Sequence, residues 1–385
     1  MRRLVYLGAI LLLAMQLLKA QETALYNAGN IRIHEEGNIG FHTHLINDNA
    51  FDTNAGLAGF YGTELLSVSG AFMPVFFDTE IANANDLELQ TSLGVTNNAN
   101  FIAGNINTLR TQPNVFLNFF SDAFYTGTTD VAKVNGYVAV ENAQNFTFPT
   151  GDAFQFRPLI INSEDINTVS RCAYFFEDPN VASSFDNSFN TDLKSNLLAN
   201  ISTTEFWKLE GSIPSTISLN WNDRSALSAF TGDINSIVVV GWSKTGRRWL
   251  SLGKTSIGGD ISNGFISSDT FTPDNFEVIT LGIEAVPTDV LLLDNYLVTP
   301  NGDGLNDVLI IPELEQSSDN NVQIYDRFGL KVFEQENYTN QFNGIPNVDN
   351  LVVDKEKGLP GGVYFYVIRL NDLQLNYQGF LYLTR

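Results

Sequence analysis

The 385-residue sequence predicts an all-β protein. Short runs rich in Val, Ile, Phe, Tyr and Thr alternate throughout with clusters of Asn, Gly, Asp and Ser, the composition of strands and turns. Apolar residues at helical spacing are scarce; one stretch, "TDLKSNLLANI" at 191–201, predicts a helix. The length leaves room for two or three domains, each with a core of its own.

The first element is a leader. Arg2 and Arg3 precede an apolar run from Leu4 to Leu18, followed by Lys19-Ala20-Gln21. That is the plan of a signal peptide, residues 1–20, cut after Ala20. The run is shorter than the roughly 20 residues that a membrane span needs. No cysteine lies near the cut to carry a lipid anchor. The single cysteine, Cys172, sits in the strand-like "RCAYFF", so no disulfide forms within the chain and a buried thiol is expected. The formal charge of −22 argues against nucleic-acid partners and against charge-driven adhesion to anionic lipid.

Residues 21–147 consist of very short apolar bursts, such as "GNIRIHEEGNIGFHTHLIND" and "TNNANFIAGNINT", broken by Asn-Gly, Asn-Asn and Gly. Stacked coils of a β-solenoid need short strands and Asn/Gly corners, and this region predicts them. Ordinary hairpins would carry a similar pattern. From 148 to 283 the runs lengthen ("FQFRPLIIN", "TISLNWN", "SIVVVGWS") and predict a β-sandwich. All four tryptophans, Trp207, Trp221, Trp242 and Trp249, fall there. Large aromatics usually fill a core. Trp249, next to Arg247 and Arg248, is the one expected to be exposed and to stack on a ligand. Residues 284–289, with Pro287, read as a linker.

Little of the sequence points to catalysis. No Gly-x-Ser-x-Gly elbow, His-Glu-x-x-His pair or phosphate loop is present. His34, His42 and His44, with Glu35 and Glu36 nearby, match no named zinc spacing. Paired carboxylates of a glycoside hydrolase are identified only by distance in space. The expectation is therefore a non-enzymatic protein.

Residues 290–385 form the last segment. Its opening, "TPNGDGLNDVL" at 299–309, admits a calcium loop, with Asn301, Asp303 and Asp307 as ligands. It lacks the closing bidentate acid, because Ile310 stands at that position. It equally admits a tight turn in which Asn and Asp side chains bond nearby backbone. Further on, Val363, Phe365 and Val367 alternate with Tyr364, Tyr366 and Ile368, a strand apolar on both faces.

Together these motifs resemble the gliding motility-associated C-terminal domain, the type B sorting domain of the type IX secretion system of Bacteroidota. The resemblance rests on Pro300-Asn301-Gly302-Asp303-Gly304 with Asn306-Asp307 and on the turn around Tyr325, Asp326, Arg327, Phe328 and Gly329. It rests also on Leu359-Pro360-Gly361 ahead of Tyr364-Phe365-Tyr366, and on the terminal Leu383-Thr384-Arg385. Phe328 and Phe342 stand where the family usually has tryptophan. The resemblance implies an Ig-like sandwich and carriage across the outer membrane by the type IX translocon. It further implies a PorP/SprF-like outer-membrane barrel as partner, and display at the cell surface or release. Three functions stay open: an adhesive or structural surface protein, gliding-associated or not; a carbohydrate-binding module; and a hydrolase without a motif.

Overall fold

A computed structural model describes residues 23–285, 296–311, 314, 317, 319–348, 357–371 and 375–384. The chain divides into two units, Met1–Glu284 and Ala285–Arg385. The signal peptide, linker residues 286–289 and Arg385 lie outside the described residues. Among those described, regular structure is strand and short 3-10 turn, with no α-helix.

The first unit starts as a stack of coils with two parallel sheets. One sheet holds β1 (Ala24–Asn27), β3 (His44–Asn47), β5 (Leu66–Ser69), β7 (Leu87–Leu89), β9 (Ile106–Thr108) and β12 (Val134–Asn135). The other holds β2 (Asn38–Phe41), β4 (Leu57–Gly62), β6 (Val75–Asn83), β8 (Leu93–Ala103), β10 (Leu117–Phe119) and β13 (Tyr137–Phe148), with β11 (Phe124–Thr126) beside β8. Each apolar burst lands above its counterpart one coil earlier. Phe41 pairs with Phe60 and their rings stack at 4.9 Å. Phe51 meets Phe76 edge-on at 5.0 Å. Burying each such side chain stabilises the stack by about 1.5–3 kcal/mol.

The polar punctuation has its own task. Asn27 Nδ2 donates to Asn47 Oδ1 (2.7 Å), and Asn47 Nδ2 to the carbonyl of Phe72 (2.9 Å), so inward-turned asparagines satisfy corner backbone. At Gly104 (φ +82°) a Cβ would lie 1.8 Å from the Asn83 carbonyl, so this corner admits only glycine. These coils are the solenoid-like region that the Asn/Gly-broken bursts predict.

β13 turns the sheet from parallel to antiparallel, pairing with β10 one way and with β14 (Leu159–Phe175) the other. β14 then divides: residues 171–175 pair with β16 (Phe206–Glu210), residues 160–163 with β17 (Ser215–Trp221). β22 (Phe276–Glu284), β18 (Ile237–Ser243) and β19 (Trp249–Ser251) continue one branch, and β15 (Leu198–Ile201) also lies on β22. β21 (Gly264–Ser267) and β20 (Ser256–Gly259) continue the other.

All seven residues of β18 are buried because both sheet faces are covered. Ile237 and Val239 join the core that runs on from the coils. Val238, Val240 and Trp242 join a second one with Phe175, Phe189, Phe206 and Trp249. A buried ion pair crosses this region: Arg157 Nη2 donates to both Glu205 oxygens at 2.6 and 2.7 Å, and Tyr174 Oη donates to Glu205 Oε2 at 2.7 Å. Cys172 is buried, and burial pushes its thiol pKa well up.

Two expectations fail here. The stretch 191–201 is not helical: Trp249 N donates to the Leu193 carbonyl and Ser195 N to the Trp249 carbonyl, so β19 takes the backbone groups a helix would use. Leu198 and Ile201 are buried as strand residues of β15. Trp249 is not exposed. It is fully buried, meets Trp242 at 5.7 Å, and its Nε1 donates to the Phe189 carbonyl. Trp207 and Trp221 are fully buried too, and Trp242 nearly so, which leaves no tryptophan platform.

Among its described residues the second unit contains one five-stranded sheet in the order β23 (Tyr296–Val298), β27 (Leu375–Leu383), β26 (Gly362–Leu370), β24 (Asn320–Tyr325), β25 (Lys331–Glu336). One face carries the core: Val322, Ile324, Tyr364, Tyr366, Ile368 and Leu381, against Leu309, Ile311, Tyr338, Phe342 and Leu359 from non-strand segments. Tyr366 lies across from Gly379, where a Cβ would come within 2.2 Å of its hydroxyl.

Candidate functional site

The motif residues of the second unit fall into a structural loop, a groove and an open sheet face. In the loop, Asp307 accepts from three backbone N–H groups: Asn301 (3.0 Å) and Gly302 (2.6 Å) on Oδ1, and Gly304 (2.8 Å) on Oδ2. Asn301 Nδ2 donates to Asp303 Oδ2, Asp303 N to Asn301 Oδ1, and Leu305 N to Asp303 Oδ1. The N–H of Gly302, then that of Gly304, holds the Asp307 carboxyl below the usual carboxylate range. The oxygens read as calcium ligands thus face N–H donors, the arrangement of a hydrogen-bonded turn. Asn306 closes it, its carbonyl accepting from Thr299 N at 2.7 Å. Pro300 lies in the same loop. Among the described residues no three His, Cys, Asp or Glu side chains converge to hold a metal. His44 Nδ1 meets Ser67 Oγ at 2.9 Å, and His42 packs against Tyr61.

The groove unites motifs about thirty residues apart in the chain. It has a volume of about 260 Å³, and its walls are Asp326, Arg327 and Phe328 on one side and Leu359–Gly362 with Tyr364 on the other. Each wall is braced locally. Asp326 Oδ1 accepts from the N–H of Phe328 and Leu330, and Gly329 N donates to the Asp326 carbonyl. Leu359 is buried with its N–H on the Gly344 carbonyl, and Tyr364 Oη donates to the Pro360 carbonyl at 2.8 Å. Phe328, 81% exposed, lies on the rim with the Arg327 guanidinium 4.8 Å from its ring centre.

Val363 leads from the groove onto the sheet face opposite the core. Registered pairing places Leu297, Tyr382 and Val363 in one row and Phe380, Phe365 and Tyr325 in the next. All but the half-buried Tyr325 are exposed. Gln378, Val367 and Gln323 follow, then Asn376, Arg369 and Asn321, so the face is apolar at the groove end and polar at the other. A contiguous exposed apolar patch of this kind marks an interaction surface. Tyr366 points the other way, into the core.

Of the motif residues expected from the sequence, the groove brings together Arg327, Leu359, Pro360, Gly361 and Tyr364. Tyr325 lies in the row of Phe365, and Gly329 in the turn beside the groove. Sequence reasoning does not single out Leu297, Phe380 and Tyr382. Alternation within β26 and β27 was the available signal. At the end of the described chain, residues 381–383 are flanked by β26 and by parallel β23.

Among the described residues no helix is long and apolar enough to cross a membrane. Comparison with curated proteins and with solved structures gave no match. Residues 291–383 match the family model of the CHU_C type IX secretion signal domain. The segment that carries the groove and the open face is therefore a type B sorting domain of the type IX secretion system, and the chain is cargo of that machinery, exported to the cell surface or secreted.

Proposed function

We propose that the protein is a non-enzymatic, adhesive or structural component of the cell surface, held at the outer face of the outer membrane. The signal peptide, residues 1–20, directs passage through the inner membrane and is removed after Ala20. The sorting domain then presents its groove and apolar face to the translocon and to a PorP/SprF-like barrel. The observation that carries this reading is the convergence of Arg327, Phe328, Pro360 and Gly361 on one groove that opens onto uncovered Val363, Phe365, Phe380 and Tyr382. Covering each half-exposed side chain is worth on the order of 1 kcal/mol, enough in sum to drive recognition. The adhesive role is supported by the coil stack, a rigid platform of the kind that presents an extended binding surface.

Protease shaving of intact cells tests the export half. Full-length protein should be digested at the surface, whereas a chain lacking 289–385, or one carrying Phe365→Ser with Tyr382→Ser, should be protected in the periplasm. Equal digestion of all three overturns the reading. Sequencing the exported chain should give Gln21 as its first residue.

A further inference from the structure

The hairpin between β18 and β19 runs against the charge of the rest of the chain. Lys244-Thr245-Gly246-Arg247-Arg248 places three cations in five residues of a protein with net charge −22. Neither Lys244 nor Arg247 forms an ion pair with any described residue. Both line a cavity of about 500 Å³, within the size range of small-ligand sites. The opposite wall is the 185–193 loop, with Phe185 and Asp186, and Trp242 and Glu277 complete the lining.

The walls are held independently of any ligand. Phe185 packs on Phe175 and Phe189 (both 5.2 Å) and on Phe206 (5.8 Å). Phe189 N donates to the Pro179 carbonyl, Thr191 N to Asn180 Oδ1, and Ser183 N to Glu177 Oε2. The hairpin is closed by Ser243, whose N–H donates to the Arg248 carbonyl and whose Oγ accepts from Gly246 N. Lys244 N donates to the Asn275 carbonyl.

A ligand for this cavity must bring an anion for Lys244 and Arg247 and hydroxyl donors for Asp186 and Glu277. A guanidinium matches a carboxylate in bidentate fashion. Polyphosphates supply anions but no hydroxyl donors for the two carboxylates, and a nucleic-acid backbone supplies few, whereas a uronate unit carries one carboxylate among several hydroxyls. A simple lipid anion leaves the acids without donors. We propose that the cavity binds an acidic saccharide, a glycan bearing uronate carboxylates. The proposal deepens the adhesive reading and rests on it.

Calorimetric titration of the mature full chain with oligogalacturonate tests it, with neutral galacto-oligosaccharide of equal length as comparator. The acidic oligomer should bind and the neutral one should bind at least tenfold more weakly. Lys244→Ala with Arg247→Ala should weaken oligogalacturonate at least tenfold and leave the thermal unfolding midpoint in place, because both side chains are exposed. No binding of oligogalacturonate, equal binding of the two sugars, or unchanged binding by the double variant overturns the proposal. Attachment by a deletion strain separates the two readings. Attachment equal to the parent's sinks the adhesive role. Lost attachment with no oligogalacturonate binding sinks only the ligand assigned here.

Discussion

The antiparallel part of the first unit and the sheet of the second are built from similar strands, yet they treat their faces differently. β18 has a core on each side, and every one of its residues is buried. β26 is just as apolar, but only Tyr364, Tyr366, Ile368 and Leu370 are buried, while Val363 and Phe365 remain in water. The first spends its apolar surface entirely on its own stability; the second keeps a share of it for contact with something else. A strand with two apolar faces therefore has two uses, and only its neighbours in space tell them apart.

The comparison can be broken most severely at the buried pair. Glu205→Ala leaves Arg157 charged and uncompensated at 1% exposure, and should cost about 3–5 kcal/mol in denaturant unfolding of the first unit. A cost under about 1 kcal/mol would mean that this core tolerates an open charge. Gly379→Val, next in size, drives a side chain into the Tyr366 hydroxyl and should destabilise the second unit by about 1–3 kcal/mol. Phe365→Ser on the open face should change stability by no more than about 0.5 kcal/mol while export falls. A large stability loss there would show that the face is covered within the chain.

The smallest effect concerns the loop. Asp307 titrates below its unfolded value of about 4, so its contribution is complete above that value and is lost as pH falls through the lower, folded one. Thermal unfolding followed down from pH 6 should lose a step in wild type that is missing in Asp307→Asn. Calcium or a chelator at pH 7 should leave the midpoint of the second unit unmoved; a calcium-dependent rise would instead favour the metal reading of Asn301, Asp303 and Asp307.

Much of the fold was legible because its signals are local. Asn and Gly mark coil corners for reasons of backbone geometry, as at Gly104, and the motif set 300–364 marks the sorting domain. What misled was context. Trp249 follows two exposed arginines, but the hairpin turn that exposes Arg247 and Arg248 returns the next residue to a covered strand. Leu193, Leu198 and Ile201 carry helical spacing, yet tertiary pairing with β19 and β22 claims their backbone. The cavity at Lys244 joins segments about sixty residues apart, and no pattern within either segment announces it.

The coil stack has one further consequence. Ala24 sits beside His44, Leu45 beside Val68, Leu66 beside Leu87 and Leu87 beside Ile106, so each turn of about twenty residues registers only against its neighbours. Duplicating or deleting one whole turn changes the reach of this region by a single strand spacing, about 4.8 Å, and leaves every other contact as it was. The region behaves as a ruler graduated in coils, whose length can be reset in whole steps while the groove at Phe328 and the cavity at Lys244 keep their form.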